Sequence, residues 1–410
     1  MKVLLIGHAC GPGLGSEPGN TWEFASRLSE HHQVWLIAHP EHRDRVERSL
    51  AERPNPNLRI AWVTTRTRFD PWKPEQGESG IRLHYVLWLR EAYREAQRLH
   101  RETGFDVAHH VSWGTVGAAP PLWKIAAPTV WGPLGGGQTT PEAFLPYFEA
   151  DARKERLRNL YTRLLRHSPS LRHAVRSAGL VLATNRETSD LLRRAGARNV
   201  RLFLDCGLFQ EPAPPSARPS TSTENRIFLW AGRLEHRKGL LVALEAFSRI
   251  GRDLPVKLLI AGKGPLRERC EEKAHSLGLD GKVEFLGPVP YERMPQIFQS
   301  ADAFLFTSLR DSFGSVVLEA MSYGLPVIAL NHQGVGAFVP ESAGAKIAVT
   351  RPWEVIESLA LAIEKISRCA ACRARMGAAA WEQARQETWE RRVSRLMAAY
   401  EEVITADRRV

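Results

Sequence analysis

The chain has 410 residues, 43% of them apolar and 25% charged, enough for two or three domains that each bury a core. This is the balance of an ordinary soluble globular protein: no stretch approaches a membrane span, and the opening MKVLLIGHAC has too short an apolar run for a signal peptide. A cytoplasmic protein is expected, and five cysteines, odd in number and mostly scattered, agree with that. The net charge of +11 invites nucleic acid, an acidic membrane surface or anionic substrates. No nucleic-acid module is recognisable, so anionic small molecules and anionic lipid are the expected partners.

Residues 2–6 read as a first strand, running into a Gly- and Pro-rich loop over 11–19. A helix over 21–28 and a strand over 33–38 follow. A strand, glycine loop and helix can cradle a phosphate. The dinucleotide spacing GxGxxG fails, however, because Pro18 stands where the third glycine belongs, and no acid closes the second strand. Residues 106–111 form a short strand ending in His109 and His110, and 131–137 make a flexible glycine loop after another strand. Over 151–176, Leu157, Leu160, Tyr161, Leu164 and Leu165 share a helical face, with Arg153, Lys154, Arg156, Arg158, Arg163 and Arg166 around much of the remainder. Such a helix can lie in an anionic membrane surface or pack, solvated, on its own domain. A strand over 180–184 and a helix over 187–194 precede the Pro- and Ser-rich stretch EPAPPSARPSTSTEN, which reads as a linker.

The pattern then restarts with a strand at 226–231, the loop GRLEHRKG at 232–239, a helix at 240–250, a strand at 256–261 and a tight loop at 262–265. Residues 303–306 are a buried strand, 307–314 a polar turn, 315–323 a helix and 325–330 another buried strand. Asp311 and Glu319 bracket that turn and helix, with seven residues between them. A single acid there would most often cap the helix. Two that reach one ligand can accept hydrogen bonds from the vicinal hydroxyls of a sugar or ribose, while the N–H groups near 313–316 suit a phosphate. Ligands of such folds sit where loops leave the carboxyl ends of strands. Cys369 and Cys372 form a lone CxxC for which ordinary helix packing is expected, and a last helix spans 379–404. Alternating strands and helices in both halves predict two parallel-sheet domains with a cleft between them.

The acid–x7–acid segment, together with GRLEHRKG, GKGP and FLGPV, resembles the retaining GT-B glycosyltransferases of group 1, bacterial mannosyl- and glucosyltransferases among them. That family usually has Glu at the position of Asp311. The second half matches nearly end to end, the first only in loop positions and order. The resemblance implies an α/β GT-B fold, two Rossmann-like domains facing each other across a cleft. It divides the chain into an acceptor-binding domain over 1–208, a linker over 209–225, a donor-binding domain over 226–378 and a helix over 379–410 packing back toward the first domain. It also implies retaining transfer from a nucleotide-sugar donor to a glycan or lipid-linked hydroxyl, with no cofactor. Arg233 and Lys238 would hold the diphosphate, Glu319 the ribose, and Asp311 the sugar with backbone at Gly314 and Ser315. Gly15 would lie over the donor phosphate, and one of His109 and His110 would face the reacting centre. No Asp-x-Asp metal grip is present, so no metal is expected. A peripheral position on the inner face of the membrane, through 151–176, is one of two readings left open for that helix, the other being packing on its own domain. Two rivals are a sugar-nucleotide epimerase of the same architecture and a non-catalytic nucleotide-binding subunit.

Overall fold

A computed structural model of the protein describes residues 1–66, 70–72, 77, 79–214, 225–251 and 253–408. Most of the expected linker, 215–224, lies outside them.

Short runs of Val, Ile and Leu bounded by turns form strands, the central ones largely buried on both faces and the edge strands partly exposed, and these assemble into two all-parallel sheets. The first has β1 (Lys2–Gly7), β2 (Gln33–Ala38), β3 (Leu58–Trp62), β4 (Val107–Ser112), β5 (Thr129–Leu134), β6 (Leu180–Ala183) and β7 (Val200–Leu202), in the order β3-β2-β1-β4-β5-β6-β7. The second has β8 (Arg226–Ala231), β9 (Val256–Ala261), β10 (Val283–Gly287), β11 (Ala303–Phe306), β12 (Val327–Leu330) and β13 (Gly344–Ile347), in the order β10-β9-β8-β11-β12-β13. Strand order reverses between β1 and β4 in one sheet and between β8 and β11 in the other. Those are the switch points where loops diverge and leave a crevice for ligands.

The two compact units are not contiguous in sequence. One comprises Met1–Gly137, Thr162–Cys206 and Trp389–Val410, the other Gln138–Tyr161 and Gly207–Thr388. Residues 138–161 join the second unit because Phe144 and Phe148 are buried in the same core as Phe228, Leu240 and Phe247. The chain end joins the first because Trp389, Val393, Leu396 and Tyr400 pack with Val3, Leu5, Phe24 and Leu36.

Three local readings change. The helix expected at 379–404 is two helices, Ala370–Arg385 and Trp389–Asp407. They part where Glu387 accepts a hydrogen bond from the Leu208 N–H at 2.9 Å and Thr388 bridges to Leu208. Cys369 and Cys372, read as ordinary packing residues, are joined as a disulfide at the start of Ala370–Arg385. The helix expected from residue 21 starts at Ser16, with Gly15 as its N-cap. Pro18 fits because the first turn needs no donor at that position.

The helix Ala152–Leu164 is turned inside out relative to an ordinary surface helix. Its buried side is polar: Glu155, Asn159 and Thr162. The Thr140 hydroxyl donates to Glu155 at 2.6 Å, the Thr140 N–H to Asn159 at 3.0 Å, and Arg310 pairs with Glu155 at 2.6 Å. These partners satisfy polar groups whose burial would otherwise be costly. Leu157, Leu160, Tyr161 and Leu164 are therefore left outside, each 52–67% exposed. Arg153, Lys154, Arg156 and Arg163 are exposed beside them.

Candidate functional site

The second unit carries its polar cluster at the β8/β11 switch point. The loop after β8 and the loop after β11 touch so closely that a Cβ on Gly239, whose φ is +66°, would stand 2.1 Å from the Thr307 carbonyl oxygen. Backbone N–H groups of Leu309 and Arg310 donate to the Arg237 carbonyl at 2.8 and 3.1 Å, locking the two loops together. That contact sets Lys238 Nζ against Asp311 Oδ2 in a close ion pair, with both side chains largely shielded. Lys238 also lies over the Phe306 ring, 5.9 Å from its centroid. Gly314, at φ +90°, turns the chain into the helix Ser315–Ser322 where a Cβ would meet Phe306 at 2.8 Å. Lys238, Asp311 and Gly314 thus come together beside the start of that helix, where the Val317 N–H donates to the Gly314 carbonyl at 2.9 Å and the first-turn N–H groups lie ahead of the i−4 ladder.

The other expected donor residues stand apart from this centre. Arg233 is 70% exposed and pairs with Glu235 at 2.9 Å. Ser315 is exposed at the helix start. Glu319 lies farther along the same helix, where burial raises its carboxyl above the usual range. Its charge, added to burial, helps push the Tyr291 hydroxyl up.

Two residues near Asp311 were not foreseen. Arg237 Nη1 lies 3.9 Å from Asp311 Oδ2. Gln333, buried at φ +55°, accepts from the Asp311 N–H at 2.6 Å and donates to the Leu309 carbonyl at 3.2 Å, so its amide holds the loop's shape. Its signal in the sequence is only a polar pair, His332-Gln333, between a strand and two glycines.

In the first unit both histidines of the expected pair, His109 and His110, lie buried inside β4. β4 is central and covered on both faces, so alternate side chains both enter cores. His109 donates from Nε2 to the Gly132 carbonyl at 2.6 Å, and Nδ1 meets the Tyr400 hydroxyl at 2.6 Å. His110 meets the hydroxyls of Tyr85 at 2.8 Å and Tyr93 at 3.4 Å. Burial lowers His109 to about 4 and His110 to about 3. Neither reaches a solvent-open surface.

At the β1/β4 switch point, Gly15 has φ −81°, and nothing lies within 4 Å of where a Cβ on it would stand, leaving open space above it. Beside it Glu17 accepts from the Gly114 N–H at 2.9 Å, and burial pushes its carboxyl up to about 7. The native state therefore keeps a proton that the unfolded chain releases near 4.5. Stability is expected to fall as pH rises from about 4.5 to 7. Urea unfolding at several pH values should show a flatter profile over this window for Glu17→Gln. Identical profiles in the two proteins would contradict the assignment.

The sequence reading also passed over His8, His39 and His84. They come together beyond the carboxyl ends of β1 and β2, with their ligand-capable atoms within 4.8 Å of one another. Burial and neighbouring imidazoles hold His8 well below the ordinary histidine range and His39 down to about 4.

Residues 216–383 match the family model described as glycosyl transferases group 1. A D-inositol 3-phosphate glycosyltransferase from Corynebacterium urealyticum is 32% identical over 180 residues, 40% of this chain and 42% of that protein. The chain spans 27% to 57% of the length of the curated relatives it matches. Among solved structures, a sucrose-phosphate synthase from Thermosynechococcus elongatus matches with a TM-score of 0.63 at 19% identity, over 99% of both chains. HepE from Anabaena, solved in complex with UDP, matches with a TM-score of 0.61 at 18% identity, over 97% of this chain and 100% of that one.

The class is thereby defined: two Rossmann-like parallel-sheet domains in the GT-B fold. The segment 216–383 that matches the group 1 glycosyl transferases model contains Lys238, Asp311 and Gly314.

Proposed function

We propose that the protein transfers a sugar from a nucleotide-sugar donor to a hydroxyl of a glycan or lipid-linked acceptor, with retention, in polysaccharide or glycolipid biosynthesis. The observation that carries this reading is the Lys238–Asp311–Gly314 cluster at the switch point of the second sheet, inside the family-matched segment. When the bond from the anomeric carbon to the diphosphate breaks and the bond to the acceptor oxygen forms, negative charge grows on the diphosphate. Lys238 and the N–H groups at Ser315 meet that charge, and Arg233 can swing in from its exposed position. Asp311, released from Lys238 by the incoming diphosphate, accepts from sugar hydroxyls. Glu319 accepts from the ribose diol. The first unit is the acceptor-binding half, with Gly15 at its own switch point.

The test is a thermal-shift panel of UDP-, GDP- and ADP-sugars followed by transfer assays with the selected donor. One donor should raise the melting temperature by mass action, and transfer should persist with magnesium and manganese omitted. An epimerised nucleotide sugar released without any acceptor would replace this reading, and strict dependence on magnesium would remove the role given to the fixed cations.

The same reading includes attachment to an anionic membrane through the helix Ala152–Leu164. What supports it is the outward apolar face at Leu157, Leu160, Tyr161 and Leu164, flanked by arginines. Co-sedimentation is expected with vesicles containing anionic lipid, weakening as salt screens the attraction. Leu160→Glu should abolish it without touching the buried polar side of the helix. Equal binding to neutral vesicles, or none to either kind, would retire the membrane role.

A further inference from the structure

We propose that the first unit holds a divalent transition-metal ion, zinc by the class of its ligands, on His8, His39 and His84, with Asp70 orienting His84. The inference goes beyond the transferase reading and does not depend on it.

Adjacency of β1 and β2 creates the first half of the site. His8 follows β1 and His39 follows β2, and the His39 N–H donates to the His8 carbonyl at 2.9 Å. Their rings stack with centroids 5.0 Å apart and planes 6° from parallel. His84, in the first turn of the helix Ile81–Thr103, presents its ring almost perpendicular to both, at 5.2 and 5.0 Å. Its Nε2 lies 3.0 Å from His8 Nε2.

Asp70 decides which nitrogen of His84 faces inward. His84 Nδ1 is 2.6 Å from Asp70 Oδ1, and Asp70 is itself fixed by the Thr65 hydroxyl at 2.6 Å and the Trp72 N–H at 3.1 Å. A neutral imidazole that donates from Nδ1 to a carboxylate keeps a bare lone pair on Nε2, which is how metal-ligating histidines are commonly oriented. Independently, His39 Nδ1 is buried and has no hydrogen-bond partner among the described residues. Such an orphan costs free energy unless something accepts its lone pair or takes its proton. The rings of Trp72, Trp88 and Trp113 surround His8 with centroids at 6.1, 4.9 and 6.0 Å, so the setting is largely apolar and favours a tightly held ion over loose hydration.

The chemistry of the ligands selects the ion. Three neutral nitrogens suit zinc, cobalt, nickel or copper, whereas magnesium and calcium prefer oxygen. Zinc–nitrogen bonds of about 2.0–2.1 Å in a tetrahedron put ligand nitrogens roughly 3.3 Å apart. The His8–His84 separation is already close to that, and the His39 ligand atom lies within 4.8 Å of both. Three protein ligands leave one coordination position for water or for a heteroatom of a ligand.

The test uses tag-free full-length protein, because a polyhistidine tag would mask the result. After dialysis against trace zinc, elemental analysis should find one zinc per chain, and cobalt(II) loading should give the intense visible bands of a four-coordinate ion. His8→Gln and His39→Gln should each lose the metal, exposed His31→Gln should keep it, and Asp70→Asn should weaken affinity about ten- to a hundredfold. Circular dichroism distinguishes loss of ligand from loss of fold, and His39, the least buried of the three, is the variant least exposed to that difficulty. Folded wild type that takes up no zinc at micromolar free metal would overturn the proposal. So would folded His39→Gln that binds zinc as tightly as wild type.

Discussion

Lys238→Ala is expected to lower kcat/KM by about 10²–10³-fold, the scale of removing one preorganised group that meets developing charge. The ammonium is pinned by Asp311 and held over Phe306, so it is in place before the donor arrives. Truncation also strips Asp311 of its closest counter-ion, leaving Arg237 at 3.9 Å as the nearest cation. Both pair members are well shielded, with side chains 14% and 16% exposed, so the lost partner is felt in stability as well. Pairing Lys238→Ala with Asp311→Asn separates the two contributions. The double variant should regain much of the lost stability but none of the lost rate. Steady-state transfer beside urea unfolding measures both. A Lys238→Ala enzyme within threefold of wild-type kcat/KM would remove Lys238 from the diphosphate site.

Glu319→Gln should weaken donor binding about ten- to a hundredfold, since charge-assisted hydrogen bonds to a diol contribute about 1.5–3 kcal/mol. Burial raises this carboxyl, and no side chain among the described residues neutralises it, so its charge is poorly satisfied until a donor of hydrogen bonds arrives. The substitution keeps the shape and removes the charge. Asp311→Asn should behave differently, sparing affinity for the free nucleoside diphosphate while lowering turnover, because Asp311 is assigned to the sugar. Calorimetric titration with the nucleoside diphosphate reads the first effect and transfer rates read the second. If Glu319→Gln binds the nucleotide as tightly as wild type, the ribose assignment fails.

These two predictions rest on residues that could be read from the chain. GRLEHRKG follows the strand at 226–231, and Asp311 and Gly314 follow the strand at 303–306, so their placement at strand ends needed only local pattern. The meeting of Lys238 and Asp311 needed more, since it depends on β8 and β11 being neighbours and on Gly239 allowing the loops to touch. Arg233 shows the limit of matching by position. Its backbone sits at the strand's mouth, yet its side chain turns out to Glu235.

The histidines draw the same line more sharply. Adjacent residues on a strand must point to opposite faces; the sequence reading put His109-His110 at a strand's end, whereas β4 runs on past them to Ser112. Whether either face was open depended on helices from elsewhere in the chain, one supplying Tyr85 and Tyr93, the other Tyr400. His8, His39 and His84 carry no common motif; strand order sets His8 beside His39, and the helix Ile81–Thr103 brings in His84.

Local apolar runs and glycine turns were sufficient for the strands, their parallel pairing and the positions of the loops after β8 and β11, because burial and chain reversal each leave a short-range imprint. Periodicity in the stretch 152–164 correctly marked one apolar and one polar side, but could not say which would be covered. Thr140 and Arg310, from other parts of the chain, satisfy Glu155 and Asn159 and turn the leucines outward. In the same way the last helix was visible as a helix, while its place in the core of the first unit came from contacts with Val3, Leu5 and Phe24. A pattern of side chains states what each surface prefers, and only the packing partners, distant along the chain, determine what it meets.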